Sequence, residues 1–247
     1  MTSNATAVTI SGIGKMPTGP SGHAPHVRPA YRILGRAHAS VTGLFSAVAV
    51  LDDARRSANS STKGRMSKVE VDVLRSAIVF TSAGLDAAMK RLVNDVGRFL
   101  AQQPGTGARG QFEQYIREQL ARPQVTESFR AAVLSIDVSE QMLSTYLGEK
   151  TKASFQGSSD LRTRVRETLG IRKTDVPNDD LTALDDFFLA RNKISHEMDL
   201  KAPDTDSTAR VHRNPDAVAA QCAEVFRVGT ALICGAAIVC RNIGPTK

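Results

Sequence analysis

The most chemically informative residues in the sequence lie close together within its acidic stretch 175–206: Arg191, Asn192 and His196. Residues 179–197 carry apolar side chains at helical spacing, and Arg191 falls inside the apolar arc of that predicted helix. A guanidinium cannot lose its charge, so at such a position it needs an acidic partner, a groove or a bound anion. His196 follows five positions later, about 140° around an ideal helix. The two side chains therefore converge only if the helix ends or bends near Ser195, or if a second subunit completes the site.

The segment 191–196 fits the pattern of the HEPN superfamily, in which an Arg, often followed by a polar residue such as Asn192, precedes a His by a few positions. The upstream run 75–90 also looks like the early core helix of the RiboL-PSP-type branch of that superfamily. Asp86 there takes the place of an acidic residue often found in that helix, so the resemblance places Asp86 with Arg191, Asn192 and His196 among the expected catalytic residues. The resemblance is best over residues 67–103 and 179–200, whereas residues 105–175 do not align. The chain thus resembles a HEPN-type ribonuclease domain.

This resemblance implies an all-helical, often dimeric protein that cleaves RNA without a metal or other cofactor. RNA carries its own nucleophile, the 2′-hydroxyl beside each phosphodiester. His196 would move a proton, Arg191 would hold the phosphate, and Asn192 would orient either group or the phosphate. Cleavage would leave a 2′,3′-cyclic phosphate. The implied partners are RNA, a second copy of the chain as a homodimer, and a cognate antitoxin or defence-system protein, since many such domains act in toxin–antitoxin and antiphage systems.

Each of these residues also has a purely structural interpretation. Arg191 can pair with an acid such as Asp86, His196 can cap the end of its helix, and Asp86 can pair with Lys90 one turn away. Two other functions stay open: a catalytically silent helical interaction protein, and a helical bundle that binds nucleic acid through the basic residues 150–173 without cleaving it. A second Arg-to-His match, Arg32 to His38, lies beside the N-terminal tail and is interpreted as accidental.

Apolar periodicity places these residues on helices. It predicts helices over about 31–57, 67–103, 109–121, 126–135, 138–147, 161–169 and 179–196, and a last one of about 25 residues after Asn214. In the helix 161–169, Arg162 and Arg166 are predicted to lie on the outer side. We find no strand pattern, so the predicted fold is all-α, a HEPN-like helical bundle with extra helices. Residues 1–29 are rich in Gly and Pro and predict a flexible tail, which leaves residues 30–247 as a single helical domain.

Composition narrows the class of protein further. A net charge of +7 suggests an anionic partner, with nucleic acid as the first candidate. The cysteines all fall in one late apolar segment, which excludes a disulfide framework and indicates small core residues in a reducing compartment: Cys222, Cys234 and Cys240. The longest apolar stretch, residues 228–240, is too short to span a membrane, and the N-terminus does not read as a signal peptide. We therefore expect a cytoplasmic protein that makes no membrane contact.

Overall fold

The computed structural model describes residues 12–22, 24–58 and 66–243. Over these residues the fold is all-α and contains no strand, only an isolated antiparallel bridge between Leu200 and Arg210. The predicted fold class is confirmed, while the specific HEPN-like bundle stays a prediction. The helices are α1 (Arg28–Ala58), α2 (Lys68–Ala101), α3 (Gly107–Leu120), α4 (Glu127–Val133), α5 (Val138–Thr151), α6 (Ser158–Asp160), α7 (Asn178–Thr182), α8 (Asp185–Glu197) and α9 (Pro215–Arg241).

The chain forms two compact units, each assembled from separate stretches. Unit 1 holds the described parts of Met1–Pro17, Gly35–Leu85 and Leu184–Arg227. Unit 2 holds those of Thr18–Leu34, Asp86–Ala183 and Val228–Lys247. The sequence indicated one domain over residues 30–247 and showed no sign of this division, because α1, α2 and α9 each contribute residues to both units without a linker.

Helical structure starts before the boundary predicted for the N-terminal tail. Of the predicted tail, residues 1–29, residues 1–11 and 23 lie outside the described part of the chain. Within the remainder, a 3₁₀ turn begins at Pro25, and the His26 ring stacks on Phe99 of α2 with centroids 4.1 Å apart. Proline fixes the backbone angle that the first helical residue needs, so a Pro-rich stretch can begin a helix as readily as it forms an irregular tail.

A reciprocal cap starts α2 within unit 1. The Ser67 N–H donates to Glu70 Oε2 at 2.7 Å, and the Glu70 N–H donates to Ser67 Oγ at 3.2 Å. This exchange satisfies two of the backbone donors that a helix start leaves without partners. Glu70 is buried and also accepts a hydrogen bond at 2.9 Å from Arg55 Nε of α1. The same carboxylate thus fixes the start of α2 and ties it to the end of α1.

The packing of α1 against α2 in unit 1 depends on a glycine. A Cβ atom on Gly84 would lie 2.1 Å from the Cβ of Ala37, a separation that no side chain tolerates. The small residues let the two backbones approach closely. Around this contact, large apolar side chains form the core of unit 1. They include Val41, Phe45, Val48, Leu74, Ile78, Leu85, Leu184, Phe187, Phe188, Val225 and Phe226.

The helix predicted over residues 179–196 is interrupted and forms α7 and α8. The Ala183 N–H donates to Asp179 O at 2.9 Å, which closes α7, and Leu184 begins the next helix. Asp185 and Asp186 occupy the first turn of α8, where negative charge is favoured by the helix dipole. Neither Asn178 nor Asp179 caps this helix as predicted, since both lie inside α7.

Within the described ranges, two helical stretches are long and apolar enough, by length and composition, to cross a membrane: Pro25–Ala58 and Pro215–Arg241. The sequence-based expectation of no membrane contact rested on the apolar run 228–240 of the second stretch alone. The core helix of a soluble protein meets the same criterion, and 61% of the most apolar window of Pro215–Arg241 is buried. The cytoplasmic location stays a prediction.

Candidate functional site

α8 carries the predicted catalytic residues on its last two turns. Its buried side chains Phe187, Phe188 and Ile194 anchor the helix in unit 1. Arg191 is half-buried, and its Nη1 donates a hydrogen bond to Asn192 Oδ1 at 2.8 Å. No carboxylate of the described residues forms an ion pair with Arg191. The asparagine therefore holds the guanidinium, whose charge is left without an acidic partner over this part of the chain.

His196 is exposed on the final turn of the same helix. α8 continues to Glu197 and ends where Met198 adopts a left-handed conformation with φ 50°. The helix neither ends nor bends before His196, so the Arg191 and His196 side chains leave the axis about 140° apart. The convergence expected from an early helix end is absent. The two side chains could converge through an early helix end or through a second subunit. The geometry of α8 leaves only the second subunit open.

Asp86 belongs to unit 2, whereas Arg191, Asn192 and His196 belong to unit 1. Its Oδ2 forms an ion pair with Lys90 Nζ at 2.9 Å, and its Oδ1 accepts the Phe155 N–H at 2.9 Å. The i,i+4 pair with Lys90 is the structural interpretation considered for this residue. The carboxylate links α2 to the segment after α5, and these contacts favour a structural role.

A buried carboxylate that the sequence analysis missed lies directly after α8. Asp199 is fully buried and has φ 59°, and its N–H donates to Lys193 O at 3.0 Å. Arg213 donates two hydrogen bonds to its carboxylate, from Nη2 to Oδ1 at 2.6 Å and from Nε to Oδ2 at 3.0 Å. Arg75 of α2 donates from Nε to Oδ2 at 2.8 Å. Asp199 thus holds two guanidinium groups in one buried cluster.

These arginines favour the ionised form of the Asp199 carboxyl group. Burial on its own raises the pKa of the carboxyl group, but the hydrogen bonds and charges of Arg213 and Arg75 act in the opposite direction. The net result is a pKa below the ordinary value of 3.8. The carboxylate therefore stays ionised and partly neutralises the two arginines.

Backbone hydrogen bonds close the segment after Asp199 on itself, and a side-chain hydrogen bond from Arg75 ties it to α2. Val211 N–H donates to Asp199 O and Lys201 N–H donates to Ala209 O, both at 2.8 Å. Arg75 Nη2 also donates to Val211 O at 2.9 Å. The residues between 199 and 211 therefore form a closed loop in unit 1 whose base is held by the same arginine that binds Asp199.

Between this loop and the start of α2 lies a groove of about 860 Å³, named here the basic groove. Among the described residues, four Lys or Arg side chains and one carboxylate line it, so positive charge is in excess. Asp72 accepts hydrogen bonds from Arg75 Nη1 at 2.9 Å and Arg210 Nη1 at 2.6 Å. The charged and titratable lining residues are Lys68, Asp72, Arg75, Lys201, Arg210 and His212.

A smaller cavity of about 330 Å³, named here the apolar groove, shares Asp72, Arg75 and Arg210 with the basic groove. Its apolar lining comes from α2, from α8 and from the residue that ends α8: Val79, Phe80, Ile194 and Met198. Phe80 is 53% exposed. No local spacing in the sequence links residues 68–80 to 194–212, so only the fold could reveal that these side chains meet.

The second Arg-to-His match does not form a site. His38 is only 8% exposed, and its ring packs edge-on against Phe226 at 4.9 Å between centroids. Burial lowers the pKa of His38, and a hydrogen bond with the backbone of Gly14 opposes that change. A buried, neutral histidine cannot serve as an accessible proton carrier, in line with the interpretation of this match as accidental.

The cysteines are free thiols in the structure. Cys222 is fully buried, and burial raises its pKa to about 11. A thiol with so high a pKa carries almost no thiolate at neutral pH and makes a poor nucleophile. Cys222 therefore behaves as the small core residue that the sequence predicted.

Comparison of this chain with protein-family models, with curated proteins and with solved structures finds no match.

Proposed function

We propose that this protein is a metal-independent endoribonuclease whose catalytic residues are Arg191, Asn192 and His196. One observation carries the proposal: Arg191 is a partly accessible cation without an acidic partner among the described residues, held by Asn192 on the helix that presents His196. An unpaired guanidinium of this kind suits a phosphate group, which it binds through two parallel hydrogen bonds.

The chemistry follows from these residue types and from RNA itself. His196 accepts the proton of a 2′-hydroxyl, whose oxygen attacks the adjacent phosphorus. Arg191 stabilises the negative charge that builds up on the phosphoryl oxygens. The bond between phosphorus and the 5′-oxygen breaks, and that oxygen takes the proton that His196, now an imidazolium, has accepted. The products are a 2′,3′-cyclic phosphate and a free 5′-hydroxyl, and neither water nor a metal is consumed in this step.

The arrangement on α8 favours a site built from two copies of the chain. Arg191 and His196 diverge around one helix, so one scissile phosphate reaches both only if the histidine of one protomer faces the arginine of the other. A two-fold symmetric dimer would then contain two equivalent composite sites. RNA is the proposed substrate, and a cognate antitoxin or defence-system protein is the proposed regulator of a toxin or antiphage effector.

The decisive experiment incubates purified protein with total RNA in the presence of a chelator. The parent should produce fragments that end in 2′,3′-cyclic phosphate, and His196→Ala and Arg191→Ala should each lower the rate by at least about 100-fold, the scale of a lost general base or charge stabiliser. Lys193→Ala on the same helix is the matched control and should cleave like the parent. Unchanged cleavage by His196→Ala ends the proposal.

A catalytically silent interaction protein is the second candidate, and exposed apolar side chains in unit 1 favour it. Phe80, Leu189 and Met198 are all more than half exposed, as expected of a surface that binds another protein. This candidate predicts no cleavage by any variant. The third hypothesis, nucleic-acid binding by residues 150–173, has less support because two of its basic side chains are engaged within the fold. Arg164 donates to the carbonyls of Lys150 and Ser154, and Arg166 is buried.

A further inference from the structure

The basic groove and the apolar groove adjoin each other in unit 1, since both are lined by Asp72, Arg75 and Arg210. On one side the Lys68 and Lys201 side chains are exposed, and their ammonium groups have no hydrogen-bond or ion-pair partner among the described residues. On the other side the Phe80 ring is 53% exposed. Proteins that bind single-stranded nucleic acid combine a row of cationic side chains with an accessible aromatic ring. The cations bind the phosphates, and a base stacks on the ring.

We propose that these two grooves together bind a single-stranded segment of RNA. The phosphates lie along Lys68, Lys201 and Arg210, and an unpaired base stacks on Phe80. This proposal takes its ligand class from the ribonuclease function proposed above, but it concerns binding and not cleavage. Ile194 and Met198 line the apolar groove, so a base held there lies next to the last turn of α8, which carries His196.

The charges of the site agree with a polyanion as the occupant. Asp72 is the one carboxylate that the described part of the chain contributes to the lining of the basic groove, and it is already paired with Arg75 and Arg210. Arg75 is further neutralised by Asp199, so the lysines supply most of the uncompensated charge. A second copy of this chain would need an acidic, apolar surface to match, whereas single-stranded RNA offers phosphates and bases together.

The test measures binding separately from cleavage. The probe is a short fluorescein-labelled single-stranded RNA with 2′-O-methyl riboses, whose attacking hydroxyl is blocked, titrated by fluorescence anisotropy over a series of salt concentrations. Lys68→Ala combined with Lys201→Ala should weaken binding and reduce the slope of log K against log salt by about 1.4, the loss of two single-strand phosphate contacts. The comparison pair combines Lys152→Ala with Lys173→Ala, two exposed lysines of the alternative basic segment 150–173 in unit 2, and should keep the parental slope.

The aromatic part of the proposal has its own variants. Phe80→Ala should weaken binding by about tenfold, as expected for one lost base stack, and Phe80→Trp should keep or strengthen it. Duplex RNA of the same sequence should bind more weakly than the single strand. Equal losses from the two lysine pairs overturn the proposal, and so does a Phe80→Ala protein that binds the probe normally but changes its oligomeric state.

The two proposals fail in different ways. Probe binding that requires the groove lysines, with no cleavage of natural RNA, supports the proposed RNA-binding groove and contradicts the proposed nuclease function. Cleavage that depends on His196 but is unchanged when the groove lysines and Phe80 are substituted supports the proposed nuclease function. It contradicts the proposed RNA-binding groove.

Discussion

Arg75 Nε and Asp199 Oδ2 lie 2.8 Å apart in the buried part of unit 1, joining residues that are 124 positions apart in the chain. Asp199 comes directly after the residue that ends α8, and its N–H donates to Lys193 O. The ion pair therefore fixes where α8 stops relative to α2. Since His196 stands on the last turn of α8, the same ion pair positions the proposed catalytic histidine.

Asp199→Asn should destabilise the protein strongly. The substitution removes the charge that compensates Arg75 and Arg213, and breaking a buried pair in this way costs about 3–5 kcal/mol. Asn tolerates the left-handed backbone of this position, so the loss reports charge and not backbone strain. Urea unfolding followed by circular dichroism measures it. Asp72→Asn, at a half-exposed acid bound by the same Arg75, is the control and should cost under about 1 kcal/mol.

His38 should make stability depend on pH in the weakly acidic range. Burial lowers the pKa of His38 from 6.5 in the folded protein, so the unfolded chain binds a proton before the folded one does. The free energy of unfolding therefore falls as pH drops below 6.5, by at most about 1.4 kcal/mol per pH unit for one group, until the folded pKa is reached. In His38→Leu this part of the slope should be missing. If the curves of unfolding free energy against pH run parallel for parent and variant between pH 7 and pH 5, this role of His38 is contradicted.

The sequence was sufficient to predict features that depend on local pattern. Apolar periodicity predicted the long helices, and Asn214 followed by Pro215 correctly indicated the start of α9, where Asn214 Oδ1 accepts the Ala217 N–H at 3.1 Å. The Arg191–Asn192 pair was likewise visible, because both residues are neighbours in the chain. Asp199 was not, since its burial depends on Arg75 and Arg213, which no spacing connects to it.

Arg166 shows where the assumption of regular helix geometry failed. It was predicted on the outer side of its helix together with Arg162, yet it is 1% exposed and donates from Nη1 to Val176 O at 3.0 Å. The reason is a π-helical turn over Leu161–Arg166, in which Glu167 N–H donates to Arg162 O, five residues back. The wider turn rotates the following residues inward. A period of 3.6 residues therefore assigned Arg166 to the wrong face.

Gly84 and Gly43 should respond in opposite directions to the same substitution. Both lie inside long helices of unit 1, but a Cβ at Gly84 would collide with Ala37, whereas one at Gly43 meets no atom within 4 Å. Gly84→Ala should lower the free energy of unfolding by about 1–3 kcal/mol through overpacking. Gly43→Ala should raise it by about 0.5–1 kcal/mol, because alanine is the better helix former. Thermal and urea unfolding of both variants measure the difference, and a stabilised Gly84→Ala protein would show that α1 and α2 pack less closely than described.

Mixing two inactive variants should restore ribonuclease activity if the proposed sites are composite. Arg191→Ala lacks the phosphate-binding group and His196→Ala lacks the proton carrier, so each homodimer is inactive. A mixed dimer contains one site in which the intact Arg191 of one protomer meets the intact His196 of the other. After subunit exchange, activity should rise to at most about a quarter of the parental value, since half of the dimers are mixed and one of their two sites is whole. The readout is the yield of fragments ending in 2′,3′-cyclic phosphate, with each variant alone as the baseline. Mixtures that stay at this baseline although exchange is demonstrated would show that both residues act within one chain.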